Sequence, residues 1–136
     1  MFESAELGHK IDKETFKKEV PLLRAALLDA QYDMLEKKDF PVVILISGVD
    51  GSGKGESINL LYSWMDPRHI STLAFSTPSD EETSRPFMWR YWRALPPKGK
   101  VGIFAGSWYS QPITDRINGD MRRPALDEHL DDINRF

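Results

Sequence analysis

The sequence predicts an α/β fold with a parallel sheet, and three observations carry that reading. Residues 41–47 (Pro-Val-Val-Ile-Leu-Ile-Ser) form a continuous β-branched, apolar run, the composition of a strand covered on both faces. A glycine-rich turn follows at once, and then a helical pattern with Ile58, Leu61, Tyr62 and Met65 on one face. Two more strand patterns, residues 69–75 and 100–105, alternate with helical ones, which is the signature of parallel strands joined by helices.

The elements follow in order. Residues 13–38 read as helix, with Phe16, Val20, Leu23, Leu27 and Met34 as one apolar stripe. Pro21 predicts a kink or a fresh helix start, and Asp39-Phe40-Pro41 ends the helix. Asp66-Pro67 stops the second helix. Ser79 and Glu82 have the spacing of a capping box, and Pro86 demands a second start near Ser84. Met88, Tyr91, Trp92 and Leu95 share a face before Pro96-Pro97. Ser107 is placed to cap a short helix after the third strand, and residues 127–136 read as a last helix. We divide the chain into a helical segment, residues 1–40, packing on the sheet, and a core, residues 41–136.

Bulk properties bound the function. With 136 residues, 40% of them hydrophobic, the chain suffices for one domain. Its acidic, polar start does not read as a secretory signal, and no apolar run is long enough to span a membrane. No cysteine is present, which excludes disulfides and thiolate metal sites and fits a cytoplasmic protein. A net charge of −3 argues against nucleic acid as a partner. His9, His69 and His129 are scattered and suggest no metal cluster or triad.

The turn after the first strand, Gly48-Val49-Asp50-Gly51-Ser52-Gly53-Lys54, matches G-x-x-x-x-G-K. Glycines let the backbone curl with its amides inward, and those donors, with the positive end of the next helix, suit phosphate. Gly48, Gly51, Ser52, Gly53, Lys54 and Gly55 are therefore the candidate phosphate-binding residues, with Lys54 as the neutralising charge. Gly55 stands where a magnesium-binding hydroxyl is usual, and Glu56 and Ser57 follow it. Asp50 has two readings: a group that reaches a metal or a phosphoryl acceptor, or a residue of the turn.

Residues 85–100 hold five cations (Arg85, Arg90, Arg93, Lys98, Lys100) and no acid, with Phe87, Trp89, Tyr91 and Trp92 among them. That is either a surface for a polyanion or an acceptor nucleotide, or a solvated helix face with Tyr91 and Trp92 in the core. Trp108 and Tyr109 read as packing and Arg122-Arg123 as surface.

Together these blocks resemble the family-2 polyphosphate kinases, most closely the N-terminal half of their two-domain polyphosphate:AMP phosphotransferases. The residues are Gly48 through Glu56, Trp64-Met65-Asp66-Pro67-Arg68, Pro78-Ser79-Asp80-Glu81-Glu82, Trp89-Arg90, Leu95-Pro96-Pro97-Lys98-Gly99, Gly102-Ile103-Phe104 and Ser107-Trp108-Tyr109. Gly55 is usual in the family. The resemblance implies a P-loop fold like thymidylate kinase, three-layer α/β/α, with the lid beyond Phe136. It implies phosphoryl transfer between polyphosphate and AMP or ADP with Mg2+, catalytic places for Asp50 and Lys54, Asp50 as a magnesium ligand, and a homo-oligomer. It also favours Arg90 as a polyphosphate or nucleotide contact.

Three positions depart from the pattern. Ala105 and Gly106 stand where active members carry an acid or amide and then an arginine, and Gln111 replaces a later arginine. This chain alone is therefore expected to be weak or inactive. The alternatives are a non-catalytic, phosphate-binding module that supports an active second domain or an oligomer, and an ATP-dependent nucleoside monophosphate kinase.

Overall fold

The computed structural model describes residues 10–49 and 51–136. The readings of the first residues, of His9 and of Asp50 fall outside that range. The elements are α1 (Lys13–Lys37), β1 (Val42–Ile46), α2 (Lys54–Trp64), a 3-10 turn (Pro67–His69), β2 (Ile70–Ala74), α3 (Asp80–Thr83), α4 (Trp89–Ala94), β3 (Val101–Ala105), α5 (Ser110–Asn118) and α6 (Arg123–Arg135).

The sheet is parallel, in the order β1-β3-β2. In register, Ile46 and Ala74 both lie opposite Ala105, so all three strands end at one level. Alternation along the strands divides two apolar layers. Val101 and Ile103 face one side, packed with Met65 and with Leu27, Met34, Ile58 and Leu61 of α1 and α2. Phe104 faces the other, packed with Met88, Tyr91 and Ile133 of the segments around α4 and α6. Helices thus cover both faces, the expected α/β/α layering.

Local chemistry explains most boundaries. Asp12 caps α1 by accepting from the amides of Glu14 and Thr15, and Lys38 ends it in the left-handed region at φ 53. The capping box forms as read: Ser79 Oγ accepts from Glu82 N, and Ser79 N donates to Glu82 Oε2. The chain between Thr83 and Trp89 is non-helical, so α4 restarts later than Ser84, beyond Pro86. Ser107 Oγ accepts from Tyr109 N in the turn before α5.

Several expectations are corrected. α1 passes through Pro21 with no fresh start. Pro21 and Lys17 are exposed, so the carbonyl that loses its donor is open to water. Phe16 and Leu23 are exposed, and only the C-terminal part of the α1 stripe, with Leu27 and Met34, meets the core. β1 is half-buried because it is an edge strand among the described ones, and β3 is the strand covered on both faces. Trp92 is 57% exposed, since one face of the six-residue α4 reaches the core and Tyr91 takes it. α6 begins at Arg123 rather than near Asp127, because Pro124 suits a first turn.

A polar network anchors α1. The Gln31 side chain, 2% exposed, donates to Asp66 O (3.0 Å) and accepts from Asp66 N (2.8 Å). The Asp66 carboxylate receives the Arg68 guanidinium and the Tyr32 hydroxyl. The Arg68 hydrogen bonds, the largest cause, hold the Asp66 carboxyl well below the usual carboxylate range.

At the sheet's C-terminal end, Phe75 N donates to Ala105 O and Gly106 N donates to Ile46 O. Gly106 adopts φ +93, and a Cβ there would lie 2.8 Å from Phe75 O. The position rejects any side chain without backbone movement.

Three predictions follow from this packing. Gln31→Ala strands the Asp66 amide and carbonyl and should cost about 2–4 kcal/mol in urea unfolding. Gly106→Ala should cost about 2–4 kcal/mol, against no loss for Gly55→Ala, which lies in α2 with open space around it and no positive φ. Because the folded Asp66 pKa is depressed, its stabilisation is present above the ordinary carboxylate range and fades as acid protonates it. The melting-temperature gap between native protein and Asp66→Asn should therefore hold from neutrality to about pH 4 and close only in stronger acid.

Candidate phosphate-binding site

The G-x-x-x-x-G-K segment sits where β1 ends and α2 begins. It is curled, not extended: Ser52 N donates to Val49 O at 3.2 Å, and Gly51 and Gly53 take φ values of 79 and 83. Ser52 nests against Gly48, where a Cβ would meet its Oγ at 2.5 Å. Glycine at 48 is thus required by close approach, and at 51 and 53 by the turn. Gly53 leads directly into α2, which spans 11 residues and opens with Lys54. Gly51, Gly53 and Gly55 donate no main-chain hydrogen bond among the described residues. Their amides, with the α2 dipole, are available to an anion.

Lys54 Nζ folds back over this loop and donates to Gly48 O and to Val49 O at 3.1 Å. An ammonium group is thereby held against the carbonyls at the start of the loop. Asp50 lies outside the described residues. Ser57 Oγ, considered as a substitute metal ligand, donates to Gly53 O at 3.0 Å within its helix.

The C-terminal ends of β2 and β3 add a second group of residues. Arg90 is 11% exposed in its side chain, and its guanidinium lies 5.3 Å from the Phe75 ring and 5.8 Å from the Tyr91 ring. Its Nε is buried and makes no hydrogen bond among the described residues. Glu82 Oε1 stands 3.4 Å from that nitrogen. Arg90 borders a cavity of about 230 Å³ with Ser76, Thr77, Gly106, Ser107 and Gln111, and a larger one of about 290 Å³ with Glu82, Arg85, Phe87 and His129. Burial raises the Tyr91 phenol pKa, so its hydroxyl stays neutral.

The other cations of that stretch behave differently. Arg85 and Arg93 both lie over Trp89, at 5.5 and 4.7 Å from the ring centroid, so both are held by an aromatic of the same stretch. Gln111 donates to Asp115 at 2.6 Å. Trp108 packs against Tyr91, Phe104 and Phe136, as its packing reading expected.

Sequence reasoning missed two contacts. Glu82 was legible only as a cap; its reach to Arg90 crosses the break at Pro86, so no helical spacing announces it. His129 stacks on Phe87 at 4.4 Å and 9°, a pairing between distant segments with no local signal.

No group of three histidines or acids that could hold a metal ion occurs among the described residues. Ala105 offers no oxygen side chain where the resemblance expects one. The described residues therefore do not compose a metal centre of their own.

Comparison with known proteins agrees with this fold. Over its full length the chain is 54% identical to a polyphosphate:AMP phosphotransferase of Pseudomonas aeruginosa and 47% identical to one of Pseudomonas syringae, covering 27% of each. The chain thus spans about a quarter of the length of these relatives. The crystal structure of a candidate polyphosphate kinase 2 from Pseudomonas aeruginosa matches all of the chain at a TM-score of 0.92, with 54% identity and 29% of that structure covered. A polyphosphate kinase 2 structure from Arthrobacter aurescens matches at 0.85, with 27% identity, covering 96% of this chain and 47% of that structure. The match to the family described as Polyphosphate kinase 2 (PPK2) over residues 10–136 shows that the chain belongs to that family.

Proposed function

We propose that this chain is the polyphosphate-holding domain of a polyphosphate:AMP/ADP phosphotransferase, with weak or no turnover by itself. The observation that carries the reading is the curled loop, with the Gly51, Gly53 and Gly55 amides unspent on main-chain bonds and the Lys54 ammonium folded onto it. Such a loop at a helix start suits a terminal phosphate, and the relatives' names supply the donor and acceptor.

In the parent reaction, an oxygen of the AMP or ADP phosphate attacks the terminal phosphorus of polyphosphate. One phosphoanhydride bond breaks as another forms, and the shortened polyphosphate leaves with the electron pair. Such transfers need alignment and charge neutralisation more than covalent help from the protein. Gly48, Gly51, Ser52, Gly53, Lys54 and Gly55 align and neutralise. Arg90 is the second cation we assign to the polyanion or nucleotide. Asp50 is the carboxylate we assign to a magnesium ion carried in with phosphate, and to catalysis beside Lys54.

Ala105 and Gly106 specifically favour the non-catalytic variant of this reading. Neither can bind metal or grip a phosphate oxygen, and the Gly106 backbone has no room for arginine. The domain would then hold polyphosphate beside an active partner domain or in an oligomer. Exposed Phe16, Leu22 and Leu23 on α1 suit such packing. A cytoplasmic location, where nucleotides are at hand, belongs to the same proposal; no described helix is long and apolar enough to cross a membrane.

Two measurements test it. Tripolyphosphate titrated into the chain should bind saturably, and Lys54→Ala should weaken that binding by about 10- to 100-fold. Equal affinity in both proteins would refute the cradle. With magnesium and polyphosphate, the chain alone should form little ADP from AMP or ATP from ADP; brisk turnover lost in Lys54→Ala would instead make it an active kinase.

A further inference from the structure

Arg90 presents an unusual balance. A buried guanidinium normally has its donors matched by hydrogen bonds, because an incompletely paired buried charge is costly. Here Nε is buried and has no hydrogen bond among the described residues, and the nearest anion, Glu82 Oε1, is 3.4 Å away. Glu82 is not free to close that gap, because its Oε2 is committed to Ser79 N at 2.9 Å in the capping box. That bond, more than Arg90, keeps the Glu82 carboxyl below its ordinary range and hence charged.

Three cavities meet at Arg90, and their linings differ in sign. Glu82 lines two of them, of about 290 and 330 Å³. The third, of about 230 Å³, has no acid in its wall and presents Ser76, Thr77, Ser107 and Gln111 beside Arg90. Its Gly106 edge is kept bare by the backbone geometry that excludes a Cβ. Hydroxyls and a guanidinium around a space with no acid in its wall are a donor set for a phosphate group, while the Gln111 amide is engaged by Asp115. Resting on the assignment of Arg90 to anion binding, we infer that this cavity is a second phosphate subsite, distinct from the loop, and that Glu82 is the built-in counter-ion that weakens it.

Two opposite effects of Glu82 must be weighed. It orients Arg90, and it repels an anion arriving on the far side of the guanidinium. Arg90 already packs against the Phe75 and Tyr91 rings, so its placement survives without Glu82. Repulsion across one guanidinium in a half-buried setting is the larger effect. Removing the charge therefore tightens binding.

The test uses the whole chain carrying Lys54→Ala, which silences the loop, and inorganic tripolyphosphate at fixed ionic strength as the probe. Glu82→Gln keeps the capping box, since glutamine serves at that position, and a melting curve checks the fold. Residual affinity should rise about three- to tenfold with Glu82→Gln. It should be lost with Arg90→Ala, and Glu82→Gln should give no gain once Arg90 is gone. In the unsubstituted chain, the amide resonances of Gly106 and Ser107 should shift saturably on titration. Shifts confined to Gly48–Gly55, or residual binding indifferent to Arg90→Ala, would overturn the subsite together with the assignment of Arg90. Binding that needs Arg90 but does not tighten with Glu82→Gln would overturn the counter-ion alone.

Discussion

The double pairing of β3, with β1 on one side and β2 on the other, sets the chemistry of this chain. Parallel registers bring Ile46, Ala74 and Ala105 to one level, so the three segments that follow them emerge side by side. These are the phosphate loop, the Phe75–Thr77 stretch and the Gly106–Ser107 turn. Ligands of open α/β sheets bind at such carboxyl ends because helix N-termini and unpaired amides collect there. The hydrogen bonds Phe75 N to Ala105 O and Gly106 N to Ile46 O carry the ladder past the strands and hold these segments together.

Charge at this edge is arranged before any ligand binds. Lys54 is held by two loop carbonyls, and Arg90 lies against the Phe75 and Tyr91 rings with the Glu82 carboxylate beside it. Cations fixed in this way lose little freedom on meeting a polyanion, which favours binding. β3 ends in Ala105 and Gly106, which carry neither an oxygen nor a cationic side chain, and at Gly106 the backbone has settled into a form that only glycine takes without strain.

The far side of the sheet serves stability. Gln31 and Tyr32 of α1 seize the Asp66 segment, and Arg68 completes the cluster. The sequence block around Asp66 marks the end of a helix; its larger role is to clamp α1 to the end of α2. No spacing rule reveals this, because Gln31 and Asp66 are 35 residues apart.

What could be read from residues alone was local. The strand-loop-helix order, the glycines of the tight turn, the Ser79–Glu82 cap and the apolar run that forms β1 all follow from short-range sterics and periodicity. The family followed from the blocks in order. Tertiary structure decided which strand is central, which aromatic enters the core and which cation matters. Tyr91 and Trp92 look alike in sequence, and only the position of α4 against Phe104 buries one and exposes the other. Arg85, Arg90 and Arg93 look alike too. Trp89 takes two of them, and the third is left buried beside Glu82, because burial and pairing depend on what the fold brings near, not on what the chain places next.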